Sequence, residues 1–257
     1  MKILGLQKLT LLDFPGHVAA IVFTGGCNFR CPFCQNSSLV LSPETLPFIS
    51  EAEFEQFLHK RQGILDGICV TGGEPTLHTD LPEFLNQIKS FGYLVKLDTN
   101  GTNPDMLQLL LDRKLLDYIA MDIKAGPSNY THVCGLNYKF DGAIDKPEQL
   151  SYKAETDARS KIPWLLENVY RSVNILKSSD IDYEFRTTVV NGLHSEQDFK
   201  EIASWLSGCP RYFLQSFRDC PEVLQQGHSF SSFSKEEMLH FLEIVQKEIP
   251  QAALRGI

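Results

Sequence analysis

Hydrophobic and polar positions along the chain fall into two alternating patterns. Short runs nearly continuous in apolar or β-branched residues, bounded by Gly, Pro, Asn or Asp, occupy residues 18–23, 67–71, 93–99, 118–124, 182–190 and 211–217. Such runs are expected of strands buried on both faces of a parallel sheet. Between them apolar residues recur at helical spacing. Leu81, Phe84, Leu85 and Ile88 form one stripe, and Phe199, Ile202, Ala203 and Leu206 another. Ser50 with Glu53 and Ser234 with Glu237 read as capping boxes, and Asp80, Asn103 (before Pro104) and Ser195 as helix starts. Residues 162–176 also read as helix, with Pro163 in the first turn.

Strand and helix alternate through six units, which predicts an α/β fold: a partial (β/α)6 TIM-like barrel of parallel strands, in a single domain spanning residues 1–257. Ligands of such sheets gather at the C-terminal ends of the strands, so the chemical residues should lie just after them. Residues 126–161 break the rhythm; they are polar and aperiodic and read as an inserted lid or a disordered segment.

Composition narrows the classes. Twenty-four basic and 32 acidic residues give a net charge of −8, which argues against a general nucleic-acid binder. The longest apolar run is six residues, far short of the roughly 20 a membrane helix needs. No signal-peptide pattern opens the sequence, so a cytoplasmic protein is expected. Seven cysteines are unevenly spread: Cys27, Cys31 and Cys34 are grouped, whereas Cys69, Cys134, Cys209 and Cys220 are scattered. This distribution reads as reduced thiols with one sulfur-rich site, not a disulfide scaffold.

The grouped cysteines follow the first predicted strand with the spacing C-x3-C-x2-C. Thiolates this close point to one metal centre. Zinc with a fourth ligand such as His17 would give a zinc-stabilised, non-catalytic binding protein. An iron–sulfur cube held by three cysteines would leave one iron open. Three buried structural thiols are the third reading. At the end of the second strand, Gly72, Gly73 and Glu74 offer backbone carbonyls and one carboxylate, which suit a cationic amino group. Asp98 begins Asp98-Thr99-Asn100-Gly101, and Asp122 and Lys124 end the next strand. These residues form either a turn plus a satisfied buried carboxylate or the polar floor of a cofactor site. Arg186 interrupts an apolar run and needs a carboxylate partner, for which Glu184 is one candidate.

The cysteine spacing, with Phe33 just before the third cysteine, resembles the signature of the radical S-adenosylmethionine superfamily. The resemblance implies that Cys27, Cys31 and Cys34 hold one 4Fe–4S cluster whose open iron is chelated by S-adenosylmethionine. An electron from the cluster would then cleave the sulfonium, giving methionine and a 5′-deoxyadenosyl radical. It further implies that Gly72, Gly73 and Glu74 bind the methionyl amine. Phe33, Asp98, Asp122, Lys124, Arg186 and Thr188 would line the cofactor site, with a monovalent cation nearby and Arg218 facing the cofactor.

A narrower resemblance rests on Leu11-Leu12-Asp13-Phe14-Pro15-Gly16, the cysteine loop, and Tyr183-Glu184-Phe185-Arg186-Thr187-Thr188-Val189-Val190. These segments are similar to the anaerobic ribonucleoside-triphosphate reductase activating proteins, relatives of the pyruvate formate-lyase activating enzymes. Gln35 stands where that family has His. The resemblance implies hydrogen abstraction from a glycine of a partner glycyl-radical enzyme, here anaerobic ribonucleotide reductase. The electron donor would be flavodoxin or ferredoxin, and the setting oxygen-poor. A small-molecule substrate is the alternative within the same chemistry.

Overall fold

Side-chain alternation along each strand separates a greasy outer face from a charged inner one. In β4 (Leu94–Thr99), Val95 and Leu97 join Leu85, Ile88, Leu107 and Leu110 of neighbouring helices in one buried cluster. Lys96 and Asp98 project from the opposite face and bond to each other. The same split runs through β5 (Tyr118–Asp122), where Ile119 and Met121 pack outward and Asp122 lines the inner cavity. In β6 (Asp182–Val189), Tyr183 and Phe185 enter the outer cluster, and Arg186 and Thr188 line the cavity.

The computed structural model describes residues 1–136, 158–227 and 229–257. All six predicted strands are present: β2 (Ala19–Thr24), β3 (Gly67–Gly72), β4, β5, β6 and β7 (Tyr212–Ser216), adjacent in chain order and parallel. Two strands were not anticipated. β1 (Ile3–Thr10) runs antiparallel beside β2, with register shifts that blur its alternation, and the three-residue β8 (Ala253–Arg255) extends the parallel run past β7. The eight-stranded sheet is an open, partial barrel, as expected, with β1 and β8 at its two ends.

The helices follow their caps. Ser50 and Glu53 close a capping box on α2 (Glu51–Arg61), after the short α1 (Ser37–Leu41). Asp80 precedes α3 (Leu81–Ser90) but makes no side-chain cap, because its carboxylate takes the Met1 amine at 2.6 Å instead. Asn103 caps α4 (Pro104–Asp112) by accepting from Met106 N. α5 (Tyr130–Val133) is one turn long. α6 (Ala158–Lys177) begins before residue 162, so Pro163 lies beyond its first turn. α7 (Glu196–Leu206) and α8 (Lys235–Gln246) start at Ser195 and Ser234 as read. Of the expected insertion, residues 126–136 carry α5, and residues 137–157 lie outside the described residues. Among the described residues, no helix is long and apolar enough to cross a membrane.

At the N-terminal end of the strands, Glu184 is 1% exposed and accepts from both Arg255 guanidinium nitrogens at 2.6 and 2.8 Å. Tyr118 donates a third bond at 2.8 Å, and the Arg255 guanidinium lies 3.3 Å from the Phe213 ring centre. Glu184 therefore anchors β8 and does not serve Arg186. Arg255→Ala leaves this carboxylate buried with Tyr118 alone, which should cost about 2–4 kcal/mol. Urea denaturation checks this, and an unchanged midpoint would contradict it.

Candidate active site

β2 and β3 both end in loops, and their backbones meet. Gly73 N donates to Thr24 O at 2.9 Å, and Glu74 N donates to Gly26 O at 2.8 Å. A Cβ on Gly73 would sit 1.9 Å from the Gly26 carbonyl oxygen, so the two loops approach as only glycine permits. Gly72 adopts φ +119°, and a Cβ there would meet Thr24 backbone at 2.3 Å. Further bonds fix the cysteine loop: Arg30 N to Cys134 O (2.9 Å), Leu224 N to Cys34 O (2.8 Å) and Gln225 N to Pro32 O (2.9 Å). Gln35, in the family's histidine position, donates to the Arg218 carbonyl at 2.5 Å.

The result is a cavity at the C-terminal ends of β2 to β6. Twelve of the thirteen residues expected from the sequence border it: Cys27, Cys31, Cys34, Phe33, Gly72, Gly73, Glu74, Asp98, Asp122, Lys124, Arg186 and Thr188. Arg218 is not part of that lining. His17 lies in a second cavity with Phe14 and Asp117, next to Asp66, and not beside the thiols.

The thiols differ in setting. Burial pushes the Cys27 thiol up to about 12, with the Glu74 charge adding to it, although Phe29 N donates to its sulfur at 3.4 Å. Burial also raises Cys34. Cys31 is lowered, chiefly by a hydrogen bond from the Cys134 thiol and also by the Lys124 charge. Three desolvated sulfurs, with a lysine and backbone N–H groups beside a glycine cradle, fit an anionic iron–sulfur cluster. Among the described residues, no three His, Cys, Asp or Glu side chains are gathered tightly enough for a single metal ion.

Glu74 is 1% exposed, and both its oxygens are engaged within the protein. Oε1 accepts from Thr76 N, Thr76 Oγ1 and Thr99 Oγ1, and Oε2 from Asn100 N at 2.6 Å. Burial raises its pKa against the pull of these four bonds. The carboxylate thus ties the end of β3 to the end of β4.

On the cavity floor runs a row of charges: Lys96, Asp98, Arg186, Asp122 and Lys124. Burial works against every charge in the row, yet each stays ionised. Arg186 and Lys96 hold Asp98 low, and Arg186 and Lys124 hold Asp122 low. The aspartates in turn raise the three cations.

Three contributors escaped the sequence reading, and a fourth, Asn100, was read there only as part of Asp98-Thr99-Asn100-Gly101. Asn100 donates to Asn28 Oδ1 at 2.9 Å and lies 3.9 Å from Cys27 Sγ. Asn36 donates to the Gly72 carbonyl at 3.1 Å. Cys134 supports Cys31, and Lys96 sits 3.7 Å from Cys69 Sγ beneath the floor. Lys96 carried a usable signal, a lysine between two apolar residues mid-strand; Cys134 carried none.

The sequence pattern described as the Radical SAM superfamily matches residues 21–206. The chain belongs to that superfamily. It is therefore an enzyme of a family that uses a 4Fe–4S cluster and S-adenosylmethionine, and the zinc-stabilised, non-catalytic reading falls. A Methanocaldococcus jannaschii protein provisionally named glycyl-radical enzyme activating enzyme MJ1227 is 28% identical over 255 residues, 98% of this chain and 95% of that one. A shorter match is to the 7-carboxy-7-deazaguanine synthase of Aquifex aeolicus, 36% identical over 85 residues, covering 30% of this chain and 33% of that enzyme. A solved radical SAM methyltransferase from Sphaerobacter thermophilus shares the fold, with TM-score 0.65 and 17% identity over 96% of this chain and 68% of that one.

Two outcomes follow from this geometry. Gly73→Ala forces the two loops apart, so iron incorporation on anaerobic reconstitution should fall several-fold while far-ultraviolet circular dichroism is retained. Full iron content would contradict the loop contact. His194 is buried; its Nε2 faces the Lys124 carbonyl at 2.8 Å, and its Nδ1 accepts from Val190 N at 3.1 Å and lies 3.3 Å from Val190 O. Burial lowers its pKa below the ordinary 6.5, so the unfolded chain binds this proton more readily. Its contribution to stability is complete above pH 6.5 and is lost as pH falls below that value, at no more than about 1.4 kcal/mol per pH unit. His194→Gln should flatten that slope in denaturation midpoints measured from pH 7.5 to 5.

Proposed function

We propose that this protein is a glycyl-radical activase whose partner is an anaerobic ribonucleoside-triphosphate reductase. The observation that carries the activase reading is the match to MJ1227, which spans nearly the whole of both chains, and the choice of partner rests on the sequence resemblance of residues 11–16, the cysteine loop and residues 183–190.

In this reading Cys27, Cys31 and Cys34 hold the cluster, and the Gly72–Glu74 backbone faces the methionyl amine. Phe33, Asp98, Asp122, Lys124, Arg186 and Thr188 shape the rest of the cofactor site. When bound, the cluster, S-adenosylmethionine and one supplied electron would provide the radical chemistry that takes one hydrogen atom from a glycine Cα, leaving methionine, 5′-deoxyadenosine and a glycyl radical. The protein's own part is positional. The Gly26–Gly73 contact sets the thiols against the amine site, and buried Glu74 keeps the β3 and β4 ends together. Flavodoxin or ferredoxin would supply the electron, in an oxygen-poor cytoplasm. The monovalent cation is left out, since Arg186 already lies between Asp98 and Asp122.

Anaerobic incubation of the reconstituted protein with S-adenosylmethionine, reductant and the reductase from the same genome should produce a glycyl-radical signal by electron paramagnetic resonance. One 5′-deoxyadenosine should form per radical. Radical formation only on a different glycyl-radical enzyme would keep the activase and correct the partner. 5′-Deoxyadenosine coupled to a small-molecule product, with no partner protein present, would overturn the proposal.

A further inference from the structure

We infer that Arg186 is the built-in counter-ion of this site: it lies between Asp98 and Asp122 and does there what a monovalent cation bound by these two carboxylates would do. All four oxygens of the two carboxylates are already engaged. Asp98 Oδ1 accepts from Lys96 Nζ, and Asp98 Oδ2 lies 3.2 Å from Arg186 Nη2. Asp122 Oδ1 accepts from Arg186 Nε at 2.5 Å, and Asp122 Oδ2 accepts from Lys124 Nζ at 2.8 Å. Each carboxylate oxygen therefore meets a cation that belongs to the protein.

Charge points the same way. Three cations and two anions give the row a net charge of 3 − 2 = +1. A hard cation sheds its water only for several oxygen ligands, and it favours a site with surplus negative charge. This site has neither free carboxylate oxygens nor negative surplus. Sodium or potassium would have to displace a guanidinium that touches both carboxylates.

Backbone pairing holds the guanidinium in place. Asp122 lies directly opposite Arg186 in the β5–β6 ladder, so its carboxylate reaches Nε without adjustment. The planar fork then carries Nη2 across to Asp98 on β4, a span that a lysine, as a single point donor, could not bridge. Lys96 at 2% exposure and Arg186 at 18% are shielded from exchange with bulk ions.

The consequence is cofactor binding that ignores the monovalent cation in the buffer. The inference rests on superfamily membership and the charge row, not on the identity of any partner, and no partner enters its test. Cluster-loaded protein is dialysed to equilibrium with S-adenosylmethionine and radioactive thallous ion, a potassium mimic, or sodium-22. In parallel, the dissociation constant of S-adenosylmethionine is measured in potassium, sodium and tetramethylammonium chloride at equal ionic strength. Wild-type protein should retain neither ion, and its affinity for the cofactor should vary less than about twofold among the salts.

Retention of one ion per chain, lost in Asp122→Asn, would overturn the inference. So would an affinity loss of about fivefold or more in tetramethylammonium, the lower bound expected of coupled sites. The double variant Arg186→Gln with Lys124→Gln keeps both carboxylates, frees Asp98 Oδ2 and both Asp122 oxygens, and leaves one cation against two anions, 1 − 2 = −1. If it folds, as circular dichroism reports, it should acquire ion retention and a salt-dependent cofactor affinity. A folded variant that retains neither ion would overturn the counter-ion role. If the variant does not fold, the wild-type measurements decide.

Discussion

Everything at this site depends on one close approach between backbones: Gly73, at the end of β3, lies against Gly26 of the cysteine loop with no room for a side chain between them. The three thiols and the Gly72-Gly73-Glu74 backbone come from separate crossover units, more than 35 residues apart in sequence. What brings them within reach of one ligand is a pair of backbone hydrogen bonds, Gly73 N to Thr24 O and Glu74 N to Gly26 O. A buried amide left unpaired is costly, so these bonds fix the loops as a unit. Glu74 extends the unit to β4 by accepting from Asn100 N and the Thr99 hydroxyl. Its main work in the ligand-free protein is to join two strand ends.

Below this clamp the sheet does something unusual for a barrel wall. Its inner face is lined by ion pairs in place of branched aliphatic residues, while the outer face keeps the apolar seal against the helices. Buried ion pairs contribute little net stability after desolvation, but they resist losing one member. The arrangement therefore favours a fixed polar geometry over strength, which suits a floor on which a charged cofactor must settle in one orientation.

Much of this was legible in the sequence. The C-x3-C-x2-C spacing, Gly72-Gly73-Glu74 and the charged residues at strand ends marked the cavity, because local spacing and strand ends are properties of the chain itself. Ser50, Asn103 and Ser234 marked helix starts for the same reason: a cap bonds within its own first turn. Partners across the sheet were not legible. Arg186 could be offered Glu184, two residues away on the same strand face, but register sets Asp122 opposite it, and Glu184 goes to Tyr118 and Arg255. Asp80 looked like a cap and instead binds the amine of Met1, a contact that only the finished fold creates. β1 and β8 escaped because one has shifted register and the other is three residues long. Cys134 gave no signal, since its link to Cys31 joins α5 to the cysteine loop across a hundred residues of chain.

The charge row also constrains how such a sequence can drift. Four of its five members lie on three strands, with Lys124 two residues past the end of β5, and each aspartate serves two cations. No member can change sign or length alone without stranding a neighbour in a low-dielectric interior. Exchanges at positions 96, 98, 122, 124 and 186 should therefore arrive together among descendants of this chain, as correlated sets. Lineages that lost Arg186 would be those in which a dissolved ion became part of the enzyme.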